Sequence, residues 1–94
     1  MSEYAIAFRP GAVQDFAALP ERAKVKVAQA LEHLRLNPLY SGTRALQGNL
    51  RPFRRARAGD LRIIYLVELD EKRIRVVAIG LRSDIYKRLS RMSE

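Results

Sequence analysis

The chain has 94 residues, 48% of them hydrophobic and none of them cysteine, so packing must hold the fold without disulfides or thiolate metal sites. Its 18 lysines and arginines exceed its 10 acidic residues, and the formal net charge of +8 favours a polyanionic partner. The length allows one domain over residues 1–94. No apolar run reaches the roughly 18 residues of a membrane span, so we expect a cytoplasmic protein without a membrane partner.

The first part of the chain is predicted to form one strand and two helices. Apolar side chains alternate along residues 3–8, and a period of two indicates a strand. A short apolar stripe over 13–17 predicts a helix that stops before Pro20, a residue suited to the first turn of the next helix. That second helix is expected to end at Asn37, because the residue before a proline disfavours the helical conformation. The two helices should form an antiparallel hairpin.

The second part is predicted to be a loop, a three-stranded meander and a short helix. The loop covers residues 39–52, with Leu46 and Leu50 as its apolar anchors. The middle strand is apolar on both faces except for Arg62, so it should be central in the sheet. A final helix is expected to begin near Ser83. The three strands are placed at about 53–58, 61–68 and 73–80. The predicted fold is therefore α+β: an antiparallel sheet, made from an N-terminal strand and a C-terminal meander, packs on a helical hairpin.

Few side chains suggest acid–base or metal chemistry. The single histidine, His33, lies between leucines without a recognisable ligand set, and we interpret it as a surface or core-edge residue. Glu32, Glu68 and Asp84 form no recognisable catalytic or metal-binding pair, and the chain has no glycine-rich phosphate loop. We therefore expect neither a metal-dependent nuclease nor a nucleoside-triphosphate enzyme, and no cofactor.

Arginines and one tyrosine are predicted to converge on one shallow site. Two arginines lie two residues apart on the first meander strand, and a third opens the next strand across a tight turn. A fourth follows the last strand, and the tyrosine lies one helical turn beyond it. Arginine grips phosphate with two parallel N–H donors. These candidates are Arg55, Arg57, Arg62, Arg82 and Tyr86.

A structural interpretation of the same residues is equally open. In that alternative, the tyrosine packs in the core and the arginines of the hairpin form ion pairs with nearby carboxylates. The carboxylates within reach are Asp60, Glu68 and Asp70. Spacing alone does not decide between a phosphate site and internal ion pairs.

Two segments, LQGNLRPFRRARAGDLRIIYLVE and VVAIGLRSDIYKRL, resemble the RelE/ParE superfamily of toxins from bacterial type II toxin–antitoxin pairs. The order of elements is also similar. The family has a Leu-x-Gly loop, matched at 46–48, an Arg-x-Gly-Asp-x-Arg turn with an apolar strand behind it, matched at 57–65, and a closing Gly-x-Arg-x-Asp-x-Tyr, matched at 80–86. The resemblance covers nearly the whole chain and implies a RelE-like fold of the microbial-RNase type.

The resemblance is closer to the RelE branch, whose members cut messenger RNA in the ribosomal decoding site. Basic residues of the first meander strand correspond to Arg55 and Arg57, where some RelE enzymes have lysines. The arginines at the start of the next strand and after the third strand correspond to Arg62 and Arg82. The tyrosine of the last helix corresponds to Tyr86. In the implied reaction, which needs no metal, a ribose 2′-hydroxyl attacks the adjacent phosphate while the arginines stabilise the developing charge. Guanidinium stays protonated, so the base is Tyr86 or a ribosomal group.

The resemblance also implies partners. The ribosome and its mRNA are the expected targets, and the basic residues Arg54, Lys24 and Lys26 are expected to dock on substrate or ribosomal RNA. A cognate acidic antitoxin should restrain the toxin, and operator DNA should be contacted only through that antitoxin. The alternative function is that of a non-enzymatic protein, either a ParE-like toxin that binds DNA gyrase or an RNA-docking member with a decayed site.

Overall fold

The computed structural model describes residues 3–92. Within this range no helix has the length and apolar character needed to cross a bilayer. The elements follow in the order β1 (Ala5–Phe8), α1 (Pro10–Ala17), α2 (Glu21–Leu36), β2 (Thr43–Ala45), a 3-10 turn (Gly48–Leu50), β3 (Arg54–Ala58), β4 (Leu61–Glu68), β5 (Arg73–Leu81) and α3 (Arg82–Met92).

Prolines lie at the limits of the first two helices, and those at positions 20 and 38 have the places that the sequence predicted. α1 begins at Pro10, where the missing N–H would have had no helical partner. Pro20 precedes α2 in an extended conformation. Asn37, which comes before Pro38, is extended with φ −154° and ends α2. Its Oδ1 accepts the N–H of Leu39 at 3.1 Å, which fixes the first turn of the loop.

The sheet has the strand order β1-β5-β4-β3-β2, so the predicted central strand β4 is in the middle. β1 runs parallel to β5, whereas the other neighbours are antiparallel. The predicted α+β fold is confirmed, but the sheet is mixed and not wholly antiparallel. The alternation of apolar side chains along residues 3–8 predicts a strand. It does not indicate whether that strand runs parallel or antiparallel to β5, which is distant in the sequence.

One strand of the sheet, β2, was predicted as loop. It has three residues, Thr43–Ala45, and pairs antiparallel with the start of β3. Three residues are too few for a period of two to be visible in the sequence. The predicted anchors of the same segment, Leu46 and Leu50, do pack against the core beneath α3.

The two faces of β4 belong to two separate cores. α1 and α2 cover the face that carries Ile63 and Tyr65, while α3 covers the face that carries Ile64. An irregularity in the β4–β5 register between Ile64 and Tyr65 lets both Val77 and Ala78 of β5 join the core under α3. The first core is the larger one.

Candidate active site

A surface groove of about 680 Å³ lies where the β3–β4 turn meets the start of α3. Arg62 of β4 pairs with Gly80 of β5, which brings the end of β5 beside the turn. α3 follows β5 without a loop, so Arg82 is its first residue and Tyr86 lies one turn later on the same side. The lining residues are Gly59, Asp60, Arg62, Leu81, Arg82, Ser83 and Tyr86.

Arg62 is buried and held by neutral acceptors. It is 9% exposed, and its Nη1 donates to the carbonyl oxygens of Gly59 at 3.4 Å and Leu61 at 3.1 Å. A Cβ on Gly80, its cross-strand partner, would lie 3.2 Å from Ile85 Cδ1, so glycine at this position lets α3 pack closely on β5. A cation that is fixed but not neutralised favours an anionic ligand, because burial of its charge is otherwise uncompensated.

Arg55 adds a second buried guanidinium on the same face of the sheet. Its Nη1 donates to the carbonyl oxygen of Gly42 at 3.3 Å. Burial lowers the pKa of Arg55, and the nearby phenol of Tyr86 opposes this shift. Repulsion from neighbouring cations lowers the pKa further; these are Arg57, Arg62 and Arg44. Guanidinium nevertheless stays protonated. Positive charge is therefore concentrated around Arg55, and a bound phosphate would reduce the repulsion between these cations.

The carboxylates expected to neutralise these arginines are elsewhere. Glu68 accepts hydrogen bonds from Arg73 Nε at 2.6 Å and Arg75 Nε at 3.2 Å, and these bonds lower the pKa of Glu68. Within residues 3–92, no ion pair includes Arg55, Arg57, Arg62 or Arg82. The alternative in which Asp60, Glu68 and Asp70 neutralise the hairpin arginines is therefore wrong.

Tyr86 lies both against the core and in the groove. Its ring packs against the core under α3, where Ile85 and Leu89 are fully buried, and the half-buried side chain also lines the groove. The core contact fixes the ring, and the groove exposes it to a ligand. The structure thus brings together Arg62, Arg82 and Tyr86 in the groove, with Arg55 within electrostatic range.

Arg57 and Lys26 meet in a neighbouring cleft. Arg57 is exposed where β3 extends beyond the short β2, and its backbone N–H donates to Gly42 O at 3.2 Å. From this edge Arg57 lines a cleft against α2 together with Lys26. Gly59 lines both this cleft and the groove. These two predicted site residues therefore flank the groove and do not line it.

Arg54 and Lys24 lie away from the groove. Arg54 faces the core under α1 and α2, because consecutive residues of a strand point to opposite faces. Its Nε donates to Tyr65 Oη at 3.3 Å and its Nη2 donates to Thr43 Oγ1 at 2.8 Å. Lys24 lies over the ring of Phe16, with Nζ 5.9 Å from the centroid, and pairs with Glu21.

Three residues near the site were not assigned from the sequence. Arg44 pairs across the strands with Arg55, and it was missed because β2 was predicted as loop. Asp60 and Ser83 line the groove only because the start of α3 lies beside the β3–β4 turn. Asp60 is the one carboxylate among the described residues that line the groove. No three His, Cys, Asp or Glu side chains in residues 3–92 come together as a group that could hold a metal ion.

A family model described as "ParE toxin of type II toxin-antitoxin system, parDE" matches residues 6–86. The chain belongs to this toxin family. The matched range includes every residue that lines the groove and ends at Tyr86. No curated protein matches the sequence significantly.

Solved toxin structures have the same fold as this ParE-family toxin. The toxin–antitoxin complex RelBE2 from Mycobacterium tuberculosis aligns with a TM-score of 0.76 and 25% identity over 85% of this chain and 99% of that chain. The RelE–RelB complex from Pyrococcus horikoshii aligns with a TM-score of 0.72 and 23% identity over 85% of this chain and 96% of that chain. The isolated Escherichia coli RelE toxin aligns with a TM-score of 0.73 and 17% identity over 95% of this chain and 97% of that chain. The predicted RelE/ParE superfamily and RelE-like fold are confirmed.

Proposed function

We propose that this toxin is an endoribonuclease that cleaves mRNA on the ribosome without a metal ion and so inhibits translation. The observation that carries the proposal is the groove in which Arg62, Arg82 and Tyr86 lie together while neither arginine has a carboxylate partner in residues 3–92. Similarity to the toxin of the RelBE2 complex, at 25% identity over 85% of this chain, supports the RelE branch over a gyrase-binding toxin.

The proposed reaction is an internal transfer within RNA. The ribose 2′-hydroxyl attacks the adjacent phosphorus as its proton passes to a base, and the P–O5′ bond breaks. The products are a 2′,3′-cyclic phosphate and a 5′-hydroxyl, which takes up a proton. Arg62, held by two backbone carbonyls, is placed to bind the phosphate as its charge increases. Arg82 begins an 11-residue helix, whose N-terminal N–H groups also favour an anion, and it is assigned to the leaving oxygen.

Three groups are candidates for the base. Tyr86 can stack on a base of the substrate or move a proton through its hydroxyl. Asp60 offers a carboxylate in the same groove. A ribosomal group is the third candidate, and a toxin whose own acid–base set is small suits an enzyme that relies on ribosomal RNA for alignment.

The proposed partners follow from charge and from the similar structures. RelBE2 and the archaeal RelE–RelB are toxin–antitoxin complexes, so we propose that an acidic antitoxin binds this chain, whose net charge is +8. Operator DNA would be contacted only through that antitoxin. Docking on substrate or ribosomal RNA is assigned to exposed cations beside the groove, Lys26 and Arg57 above all. These targets require a cytoplasmic protein.

The target is tested by adding purified toxin to an in vitro translation reaction and mapping mRNA ends, with a gyrase supercoiling assay in parallel. We expect cleavage within translated codons and little cleavage of naked RNA. The new ends should be a cyclic phosphate and a 5′-hydroxyl. Inhibition of supercoiling with intact mRNA would make gyrase the target and reject the proposal.

The groove is tested by single-turnover cleavage on programmed ribosomes. Arg62→Ala and Arg82→Ala should each slow cleavage by about a hundredfold, because one donor lost from the transition state is worth about 3 kcal/mol. Arg9→Ala removes an exposed cation at the β1 edge of the sheet and is the charge-matched control. Normal cleavage by both groove variants would place the chemistry elsewhere.

Two conservative variants separate the candidate bases. Tyr86→Phe keeps the ring and removes the hydroxyl, so near-normal cleavage assigns stacking to Tyr86 and a large loss assigns proton transfer. Asp60→Asn keeps the shape of the turn residue and removes its charge. If Tyr86→Phe and Asp60→Asn both cleave at the parent rate, the base belongs to the ribosome.

A further inference from the structure

A second cleft, of about 320 Å³, lies between α2 and the open end of β3. We refer to it as the Tyr40 cleft; its lining residues are Lys26, Gln29, Ala30, His33, Tyr40, Arg57, Ala58 and Gly59. Gly59 also lines the groove, so the two depressions meet at the β3–β4 turn. The turn needs glycine there because its φ is +64°, and the Lys26 Cδ lies 3.2 Å from where a Cβ would be. Lys26 therefore packs on the turn that joins the two depressions.

The cations of the Tyr40 cleft are not neutralised within the described chain. Lys26 and Arg57 are exposed, and neither forms an ion pair with a carboxylate of residues 3–92. Two other cations of the same helix differ from Lys26, because Lys24 pairs with Glu21 and Arg35 pairs with Glu32. Two cations without anionic partners at one small cleft favour a ligand with negative charge.

An aromatic pair forms one side of the cleft. The rings of His33 and Tyr40 are 5.0 Å apart between centroids and tilted by 30°. Tyr40 is half-buried against Gly42, where a Cβ would lie 2.5 Å from Tyr40 Cε2, whereas His33 is exposed. The backbone at Gly42 thus supports the Tyr40 ring, and the Tyr40 ring supports that of His33. Because the His33 ring is held in place and exposed, it is suited to stacking on a nucleobase, and the amide of Gln29 can hydrogen-bond to a base edge.

We propose that the Tyr40 cleft binds a nucleotide of single-stranded RNA that flanks the nucleotide cleaved in the groove. Lys26 and Arg57 neutralise phosphates on either side of the Gly59 turn, and His33 stacks on the base. The inference rests on the proposed function, because it takes RNA to be the polymer that enters the groove. It assigns a role to His33, which the sequence indicated only as a surface or core-edge residue.

The cleft is tested with the whole toxin by fluorescence anisotropy, using short fluorescein-labelled single-stranded RNA in which one 2′-deoxy nucleotide blocks cleavage. His33→Ser should weaken binding by about tenfold or more, because a base–aromatic stack contributes that much to affinity. His33→Phe keeps a stacking ring and should bind within about threefold of the parent. Lys26→Ala should weaken binding and reduce the slope of log K against log salt by about 0.7, the value for one phosphate of a single strand. Arg9→Ala, at the far edge of the sheet, should leave the slope unchanged.

The outcomes test the RNA-binding role of the Tyr40 cleft separately from the proposed nuclease activity. Parent-like binding by both His33→Ser and Lys26→Ala would overturn the cleft, whatever the cleavage assay shows. Equal losses for His33→Ser and His33→Phe would also overturn it, because stacking would not be the cause. Competition by polyglutamate as effective as by RNA would make the site one for an acidic polypeptide and overturn it as well. The expected binding pattern together with intact mRNA in the translation assay would support the cleft and reject only the nuclease.

Discussion

Asp15 connects three elements, one of which carries the candidate active site. β1 pairs with β5 only as far as Val76, so the N–H of Ile79 lies on a strand edge that no neighbouring strand covers. Asp15 of α1 accepts this N–H at 3.0 Å through Oδ2. Its two oxygens also accept Arg88 Nη1 at 3.2 Å and Nη2 at 3.0 Å. Since Arg88 belongs to α3, the carboxylate holds the helix of Tyr86 against the sheet, and its removal should weaken both stability and cleavage.

The expected loss in the free energy of unfolding depends on how far the Asp15 and Arg88 side chains are exposed to solvent. The Asp15 side chain is 18% exposed and that of Arg88 is 39%, so solvent screens the ion pair and its share is about 1 kcal/mol. The bond from the Ile79 N–H to a charged acceptor adds about 1.5 kcal/mol. Asp15→Ala should therefore lower the free energy of unfolding by about 2–3 kcal/mol, and Arg88→Ala by about 1 kcal/mol. A loss of about 2 kcal/mol in a domain of this size lowers Tm by roughly 10 °C.

The measurement is urea unfolding of the parent, both single variants and the double variant, followed by circular dichroism. The cycle should give a coupling of about 1 kcal/mol between Asp15 and Arg88. Asp15→Asn keeps an acceptor for the Ile79 N–H and removes the charge, so its stability should lie between those of the parent and Asp15→Ala. Additive single losses would show that the two side chains do not interact. Asp15→Ala with parent-like stability would refute the whole assignment.

Gly42→Ala should cost about 1–3 kcal/mol of stability, because its Cβ would lie 2.5 Å from Tyr40 Cε2, whereas Gly11→Ala meets no atom within 4 Å and should cost nothing. Equal melting temperatures for the two variants would contradict this packing. Two arginines hold the pKa of Glu68 below its ordinary 4.5, so the carboxylate stabilises the fold above that pH and loses its contribution as pH falls through the lowered value. Glu68→Gln should thus lose less stability than the parent as the pH falls below about 4.5, and parallel stability curves would count against the ion pairs. Tyr65→Phe removes a fully buried hydroxyl that donates to a backbone carbonyl at 2.6 Å and accepts from an arginine, so urea unfolding should show a loss of about 1–3 kcal/mol. An unchanged unfolding midpoint would mean that neither bond stabilises the fold.

Local patterns predicted most of the elements. α2 ends where Pro38 restricts the backbone of Asn37, and β4 is recognisable because apolar residues occupy both of its faces. Two parts of the candidate groove were also predictable because each of them is local, whereas the β4–β5 pairing brings the two parts together. Arg62 follows a two-residue turn, and Tyr86 lies four residues after Arg82 in one helix. Composition added the preference for a polyanion, because the excess of 18 cations over 10 anions needs no knowledge of the fold.

Tertiary structure alone decided which charges are neutralised. Asp60, Glu68 and Asp70 are all near the hairpin arginines in sequence, yet the β4–β5 register places Glu68 directly opposite Arg73. Residue spacing gives the face on which a side chain lies, but the partner of that side chain depends on register and on which helix covers the face. The same cause placed Arg57 in the Tyr40 cleft. Because β2 begins at Thr43, opposite Ala56, β3 extends beyond β2, and Arg57 lies at this edge of the sheet beside α2.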